Sequence, residues 1–358
     1  MKLFGDCYRG RSVLVTGHTG FKGSWLVLWL AELDAEVTGV ALAPDTMPNH
    51  WDLLKLGINE HRLDIRDAQA LARVVAKAQP EIVFHLAAQP LVRRSYRDPL
   101  ESWSTNVMGT ANLLEACRQT KSVRAIVIVT SDKCYQNQEW SRGYQETDRL
   151  GGHDPYSASK AATELVAASY RSAFFHAANA PLLATARAGN VIGGGDWAED
   201  RLIPDLVRAI ATNTNLEVRS PQATRPWQYV LESLSGYLLL GQKLAEGKRE
   251  FAEAWNFGPG PEDNRTVADV LARLGAHWPE LAWQLITQPQ PHEAKLLYLD
   301  STKARTELGW KPVWALDVAL AATAEWYRAY RATGRIESKS QLAAFVDEAG
   351  AVNLRWAA

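Results

Sequence analysis

Gly17, Gly20 and Gly23 recur at every third position between an apolar run, Ser12-Val-Leu-Val-Thr16, and an apolar helical pattern carrying Trp25, Leu26, Leu28, Trp29 and Leu33. A strand that enters such a turn and a helix that leaves it open only a few folds to the chain. The first glycine permits the turn, the second lets backbone approach a pyrophosphate, and the third lets the helix pack on the sheet. The anion then meets free N–H groups at the helix start. Thr19, Phe21 and Lys22 complete this candidate cofactor turn. The alternative is an ordinary strand-to-helix turn that uses glycine for geometry alone.

The rest of the pattern agrees with the first reading. Further apolar strands are expected at Val37–Leu42, in a short run ending Leu63-Asp64-Ile65, and at Ile82–Leu86, Ala125–Thr130 and Leu183–Ala188. Helices are expected over Ala70–Ala78, over Trp103–Gln119 and from Tyr156 onward. Continuously apolar strands alternating with amphipathic helices indicate a parallel sheet covered on both faces. Right-handed crossovers make that an α/β doubly wound, Rossmann-like fold. From Asn190 to Val313 the texture breaks into Gly193-Gly-Gly195, several prolines and short mixed segments. This predicts a smaller mixed α/β lobe closing over a ligand. The expected division is a dinucleotide-binding domain over 1–189 and a substrate lobe over most of 190–313. Segments 228–257 and 314–335 return to the first domain, the latter through a helix near Leu316–Ala332.

Composition excludes several classes of function. With 47% apolar and 22% charged residues, a chain of 358 has ample material for a core. A formal charge of −1 leaves no basic footprint for nucleic acid or an anionic membrane. Cys7, Cys117 and Cys134 are odd in number and lack metal-ligand spacing, so neither a disulfide framework nor a metal site is expected. The apolar helix of Trp25–Leu33 is broken by Glu32 and too short for a bilayer, and the charges Asp6, Arg9 and Arg11 do not suit a signal peptide. The expectation is a soluble cytoplasmic protein. Most of the fourteen tryptophans suit core packing, but Trp197 and Trp227 stand beside Gly and Arg, where stacking on a base or sugar is the alternative.

The ends of the other strands refine the cofactor reading. The second strand runs into Val40-Ala41-Leu42-Ala43-Pro44 with Asp45 arriving late; neither an acid for a ribose nor an Arg for a 2′-phosphate stands at that end. NAD is therefore favoured over its phosphorylated form. Asp64, with Ile65 beside it, is positioned for the adenine edge, and Leu86, Ala87 and Ala88 follow the fourth strand where a cofactor passes closely. Asn106 is either a cofactor contact or a hydrogen-bonder inside a helix.

Tyr156 and Lys160 stand one helical turn apart on the same face, and Asp154 and Pro155 are good N-cap and first-turn residues. A fixed ammonium, helped by the positive ring of an oxidised nicotinamide, draws a phenol toward the phenolate and makes it a base. Ser131, Asp132 and Lys133 follow the fifth strand at the sheet edge where ligands bind. Their duller reading is an exposed ion pair. Arg225 and Trp227 offer a guanidinium fork for a diphosphate and a flat ring for a base, or else a surface Arg beside a core Trp.

Taken together the chain resembles the extended short-chain dehydrogenases/reductases and, within them, the CDP-D-glucose 4,6-dehydratases. The resemblance runs almost end to end. It includes Thr16-Gly-His-Thr-Gly-Phe-Lys-Gly23, His85-Leu-Ala-Ala-Gln-Pro-Leu-Val92, Thr105-Asn-Val-Met-Gly109 and Ser131-Asp-Lys-Cys-Tyr135. It continues through Asp154-Pro-Tyr-Ser-Ala-Ser-Lys160, Arg187-Ala-Gly-Asn190, Arg225-Pro-Trp-Gln228 and Trp255-Asn-Phe-Gly-Pro259. The run at Ser131 is the most specific: dTDP-glucose dehydratases carry Thr-Asp-Glu there, and sugar-nucleotide epimerases generally lack the acid/base pair. The absent ribose acid is a departure from the wider superfamily.

The resemblance implies a hydro-lyase that oxidises carbon 4 of CDP-glucose with bound NAD, eliminates water across carbons 5 and 6, and returns hydride to carbon 6. Tyr156, Ser131 and Lys160 then serve the oxidation. Asp132 protonates the leaving hydroxyl, and Lys133 is the base at carbon 5 or a cation stabilising the enolate. Gln89, Asn190, Trp197, Arg201, Arg225 and Trp227 are implied on the substrate, with Asn106 on the cofactor side. A homodimer or tetramer acting in deoxysugar and lipopolysaccharide O-antigen biosynthesis is also implied. The competing readings are a dehydratase or epimerase of a dTDP, UDP or GDP sugar, and a cofactor-binding sensor without chemistry.

Overall fold

The structure, a computed structural model, describes residues 1–288 and 294–357. The five residues between those spans belong to the stretch expected to be irregular, and they lie outside the described residues. Strands β1 (Ser12–Thr16), β2 (Glu36–Ala41), β3 (Asn59–Arg62), β4 (Ile82–His85), β5 (Ala125–Val129), β6 (Leu182–Ala188) and β7 (Ala254–Phe257) form one sheet in the order β7-β6-β5-β4-β1-β2-β3. Every pairing in it is parallel. The order reverses between β1 and β4, which opens a crevice beyond their carboxyl ends. Around the sheet run α1 (Phe21–Glu32), α2 (Ala68–Ala78), α3 (Gly109–Gln119), α4 (Pro155–Ala173), α5 (Leu202–Thr212), α6 (Val230–Ala245), α7 (Leu316–Thr333) and α8 (Ser338–Ala351).

Alternate strand residues face opposite layers, which is why the inner strands β1, β4, β5 and β6 are largely apolar and buried, while the edge strand β3 is polar and mostly exposed. Leu14, Val83, Ile126 and Ile128 meet Leu71, Val75, Leu113 and Ala167 from α2, α3 and α4. Val13, Val15, Phe84 and Val127 meet Trp25 and Trp29 of α1 and Leu234 and Leu238 of α6 on the other side. Most tryptophans are core residues, Trp255, Trp278, Trp310 and Trp326 among them. Among the described residues no helix is long and apolar enough to cross a membrane, the three cysteines are free, and no cluster of His, Cys, Asp and Glu suits a metal ion.

The structure departs from the sequence expectations in four places. Pairing of β3 stops at Arg62, so Asp64 and Ile65 lie just past the strand. The helix expected from Trp103 begins earlier, at Pro99, and turns π-helical over Ser104–Met108 before α3. That bulge is where Asn106 is drawn inward, and such bulges are frequent beside functional sites. Within the stretch expected to be irregular, α6 is buried almost all round, Glu232, Ser233 and Ser235 included, so it lacks the one-sided period that marks a surface helix. The terminal α8 was not expected, and Phe345 seats it edge-on against Trp29.

One buried ion pair ties α4 to the sheet. Glu164 accepts from Thr130 Oγ1 at 2.5 Å and Thr185 Oγ1 at 2.7 Å, and from Nε and Nη2 of Arg187 at 2.9 Å each. Arg187 continues to the Tyr135 hydroxyl at 2.8 Å, which donates to Asn256 Oδ1 at 2.7 Å. Burial alone would raise the Glu164 carboxyl; Arg187 and the two hydroxyls outweigh it and hold the group below the usual carboxylate range. Removing one partner of such a pair leaves a buried charge uncompensated. Glu164→Ala is therefore expected to cost about 3–5 kcal/mol in urea unfolding. A loss under about 1 kcal/mol, the scale of an exposed pair, would make the pair incidental.

Candidate active site

The glycine turn is built for close approach. Gly17 has φ +77°, and a Cβ there would stand 2.6 Å from the backbone nitrogen of Ala87. A Cβ on Gly23 would meet the Gly17 carbonyl oxygen at 2.0 Å. Any side chain at either position would fill the cradle between β1, β4 and α1. Gly20 is the N-cap of α1 and makes no side-chain cap, which leaves that helix start available to an anion. Thr19 Oγ1 donates to the Leu42 carbonyl at 3.0 Å. The sequence shows no Arg at the end of β2, but the register Ala41↔Arg62 brings one from the neighbouring strand. Arg62 Nη1 donates to the same Leu42 oxygen at 3.0 Å, while its Nη2 pairs with Glu60 at 2.5 Å. Asp64 is held by Arg66 through Nη2 at 2.6 Å, which keeps its carboxyl below the usual range.

Leu86, Ala87, Ala88 and Gln89 line the cleft after β4, as does Ile65 after β3. Asn106 does not line it. Its Oδ1 accepts from the Gln89 N–H at 2.8 Å, and its Nδ2 donates to the Gln89 carbonyl at 3.1 Å and to Ser159 Oγ at 2.8 Å. Of the two readings left open for Asn106, the structure has the internal hydrogen-bonder: the side chain ties the loop after β4 to α4. Gln89 stands in the cleft wall with its side chain turned to local work. Nε2 donates to Ser102 Oγ at 2.8 Å, and Oε1 accepts from the Leu91 N–H at 2.6 Å.

The candidate reacting groups gather at the end of β5. Asp154 caps α4 by accepting from the Ser157 N–H at 2.9 Å, with Pro155 in the first turn. Tyr156 and Lys160 follow on the buried face, with Lys160 Nζ donating to the Val129 carbonyl at 3.3 Å. Burial lowers Lys160 to about 8, against the pull of Glu164. Burial also lifts Tyr156 to about 12, with the Ser131 hydroxyl beside it acting in the opposite direction. Ser131 Oγ donates to Asp132 Oδ1 at 3.0 Å and accepts from the Lys133 N–H at 3.2 Å. Asp132 Oδ2 is buried against Gly189 with no hydrogen-bond partner among the described residues. Burial therefore raises this carboxyl, although Lys133, Ser131, Arg225 and Lys22 oppose the shift. Lys22 reaches across to the Tyr237 hydroxyl at 3.3 Å, and burial, aided by Arg201, lowers it to about 7.

The substrate candidates border the same cleft of about 1120 Å³, room for two ligands of nucleotide size. Arg201 is held by Asp196 at 2.9 Å, and Asn190 takes the Gln228 N–H on its carbonyl at 3.2 Å. Arg225 is buried in the antiparallel pair Thr224–Pro226 and Asn264–Thr266 and donates through Nη1 to the Thr224 carbonyl at 2.8 Å. Trp227 is a core residue whose indole donates to the Arg265 carbonyl at 3.0 Å; Trp197 packs edge-on against Trp326 and Tyr330. Both still border the cleft.

Sequence reasoning missed Arg62, Glu164 and a charged group at Arg93, Asp200 and Arg219. For Glu164 a signal existed: it continues the face of Tyr156 and Lys160 by one more turn, a charge on an otherwise buried stripe. The other residues meet only in the fold.

The model of the family described as GDP-mannose 4,6 dehydratase matches residues 14–323. A CDP-glucose 4,6-dehydratase of Salmonella typhimurium is 49% identical over 330 residues, 90% of this chain and 92% of that protein. A dTDP-glucose 4,6-dehydratase of Xanthomonas campestris is 27% identical across 88% of this chain and 92% of its own length. Among solved structures, DesIV from Streptomyces venezuelae, a dTDP-glucose 4,6-dehydratase with NAD bound, superposes with TM-score 0.76 at 28% identity, covering 89% of this chain and 98% of that one. A Thermus thermophilus UDP-glucose 4-epimerase in complex with NAD gives 0.77 at 25% identity, covering 88% and 98%.

Proposed function

The chain belongs to the GDP-mannose 4,6-dehydratase family, and on that premise we propose that it is an NAD-dependent hydro-lyase converting CDP-D-glucose to CDP-4-keto-6-deoxy-D-glucose and water. The observation that carries the reading is Asp132, a buried carboxyl whose Oδ2 has no hydrogen-bond partner among the described residues, pushed toward its protonated form beside Lys133. An epimerase has no use for a proton donor there. An elimination needs one. The 49% identity to a CDP-glucose dehydratase supports the nucleotide and hexose.

Gly17, Gly20, Gly23 and the open start of α1 would hold the NAD pyrophosphate, with Thr19, Phe21, Lys22, Asp64, Ile65, Leu86, Ala87 and Ala88 around the rest. Bound NAD supplies the hydride acceptor for carbon 4, a positive ring charge that draws down the Tyr156 pKa, and the hydride that returns to carbon 6. Tyr156 takes the 4-hydroxyl proton, with Ser131 orienting that hydroxyl and the Lys160 ammonium, charged below about pH 8, steadying the phenolate. The 4-keto group acidifies carbon 5. Lys133 is placed to remove that proton, and Asp132 donates its proton to the departing 6-hydroxyl, so water leaves and a 5,6 double bond forms. Lys133 then returns a proton to carbon 5. Arg225 binds the diphosphate, while Asn190, Trp197, Arg201 and Trp227 shape the sugar-nucleotide side, with Gln89 in the wall and Asn106 behind it.

The proposed division is a cofactor lobe of 1–189 with 228–257 and 314–335, and a substrate lobe from the remainder of 190–313. The protein is read as a cytoplasmic homo-oligomer, dimer or tetramer. Leu100, Trp103 and Met108, exposed around the start of α3, and Leu165, exposed on α4, are the apolar surface that supports pairing.

Incubation with CDP-, dTDP-, UDP- and GDP-glucose tests the reading: only the CDP sugar is expected to yield a 4-keto-6-deoxy product. No dehydration of CDP-glucose would overturn it. The division of labour separates in a single turnover followed at the NADH absorbance. Tyr156→Phe should bind NAD normally yet oxidise carbon 4 slower by about 10²–10⁴. Asp132→Asn should let the signal rise and stay high, because oxidation proceeds and water cannot leave. An Asp132→Asn variant that binds both ligands without forming NADH would put Asp132 in the oxidation step instead.

A further inference from the structure

The cleft continues well past the reacting groups. Beyond Arg225 its wall is made by Leu216, Val218 and Arg219, by Asp200 at the entry to α5, and by Arg93. Asp200 Oδ1 accepts from Arg219 Nη1 at 3.1 Å and from Arg93 Nη1 at 3.2 Å, and Arg219 Nη2 reaches the Asp200 carbonyl at 3.4 Å. Asp200 has φ +59°, a left-handed backbone that glycine would adopt without strain. Its side chain is 26% exposed and that of Arg219 21%, and both line the cleft where it meets a second groove bordered by Arg208 and Thr212. Neither has a part in the chemistry at carbons 4, 5 and 6. Arg219 and Arg225 are joined by one tight turn, closed by the Ala223 N–H on the Ser220 carbonyl at 3.1 Å. With the hexose at Tyr156 and the diphosphate at Arg225, the nucleoside end of the substrate falls to this charged pair.

We propose that Arg219 and Asp200 together read the pairing edge of cytosine. Cytosine offers two adjacent acceptors, O2 and N3, and one amino donor at N4. A guanidinium beside a carboxylate is the complement: two parallel N–H groups of Arg219 face O2 and N3, and a carboxylate oxygen of Asp200 takes the N4 hydrogen. Uracil and thymine present N–H where the guanidinium donates and a carbonyl where the carboxylate accepts, so two of three positions clash. Guanine reverses the pattern as well and is larger. Arg93, on the other side of Asp200, donates to the same carboxylate oxygen and holds it beside Arg219. This assignment rests on the proposed sugar-nucleotide site and adds the residues that choose its base.

The test is calorimetric titration of the NAD-loaded full chain with CDP and with UDP, for the native protein, Asp200→Asn and Arg219→Gln. Asparagine tolerates the left-handed backbone, and unchanged NAD affinity shows that each variant is folded. The native protein should prefer CDP by about 10²-fold or more, as expected where a mismatched base leaves site groups unpaired. In each variant the preference should shrink to within about tenfold, since one arm of the recognition is lost. A native protein without preference, or variants that keep the native ratio, would overturn the assignment. A native protein that prefers CDP but forms no 4-keto-6-deoxy sugar would instead contradict the proposed reaction and leave the base reading standing.

Discussion

The seating of α4 across β5 and β6 governs the site. Glu164 binds Thr130 at the end of β5 and Thr185 and Arg187 on β6, with every carboxylate lone-pair direction engaged by a donor from the sheet. Because Tyr156, Lys160 and Glu164 share one helical face, anchoring the third sets the height of the other two above the strand ends. Ser131 and Asp132 begin one residue beyond Thr130. The phenol, the amine and the carboxyl are thereby brought together by one buried contact that touches no substrate.

Burial then differentiates groups that would behave alike in water. Tyr156 and Asp132 are both pushed toward their protonated forms, and Lys160 and Lys22 toward their neutral ones. In the proposed reaction this suits Asp132 to the part of acid and leaves the Tyr156 phenol in need of added positive charge before it can act as a base. Such a site does little without its cofactor. Oxidation waits for a charge that arrives with the dinucleotide, and elimination waits for a ketone that only oxidation creates. Asp132 Oδ2, without a hydrogen-bond partner among the described residues, is where the proposed reaction would have the departing hydroxyl received.

The α/β architecture was legible because the inner strands carry their burial on both faces and the glycine turn follows the first of them. The cap at Asp154 was legible because capping is local. What stayed hidden depends on register or on uniform burial. Arg62 reaches the end of β2 only through pairing of neighbouring strands, and nothing near residue 42 announces it. Helix α6 is buried almost all round and mixes Glu232, Ser233 and Ser235 among its leucines, so it shows no one-sided period and read as texture and not as an element. Asn106 kept two readings until the fold brought Gln89 and Ser159 to its amide. The Arg93, Asp200 and Arg219 group joins three distant segments around one carboxylate, which no spacing rule anticipates.

The central claim is that one buried constellation oxidises, dehydrates and reduces a single bound sugar without releasing the cofactor in its reduced form. The most direct measurement uses CDP-glucose carrying deuterium at carbon 4, with the product examined by mass spectrometry and proton NMR. The account requires the deuterium to appear at carbon 6 of the 4-keto-6-deoxy product, with one solvent hydrogen at carbon 5 and no accumulation of NADH. Deuterium lost to solvent or retained at carbon 4, or NADH released in proportion to product, would contradict it.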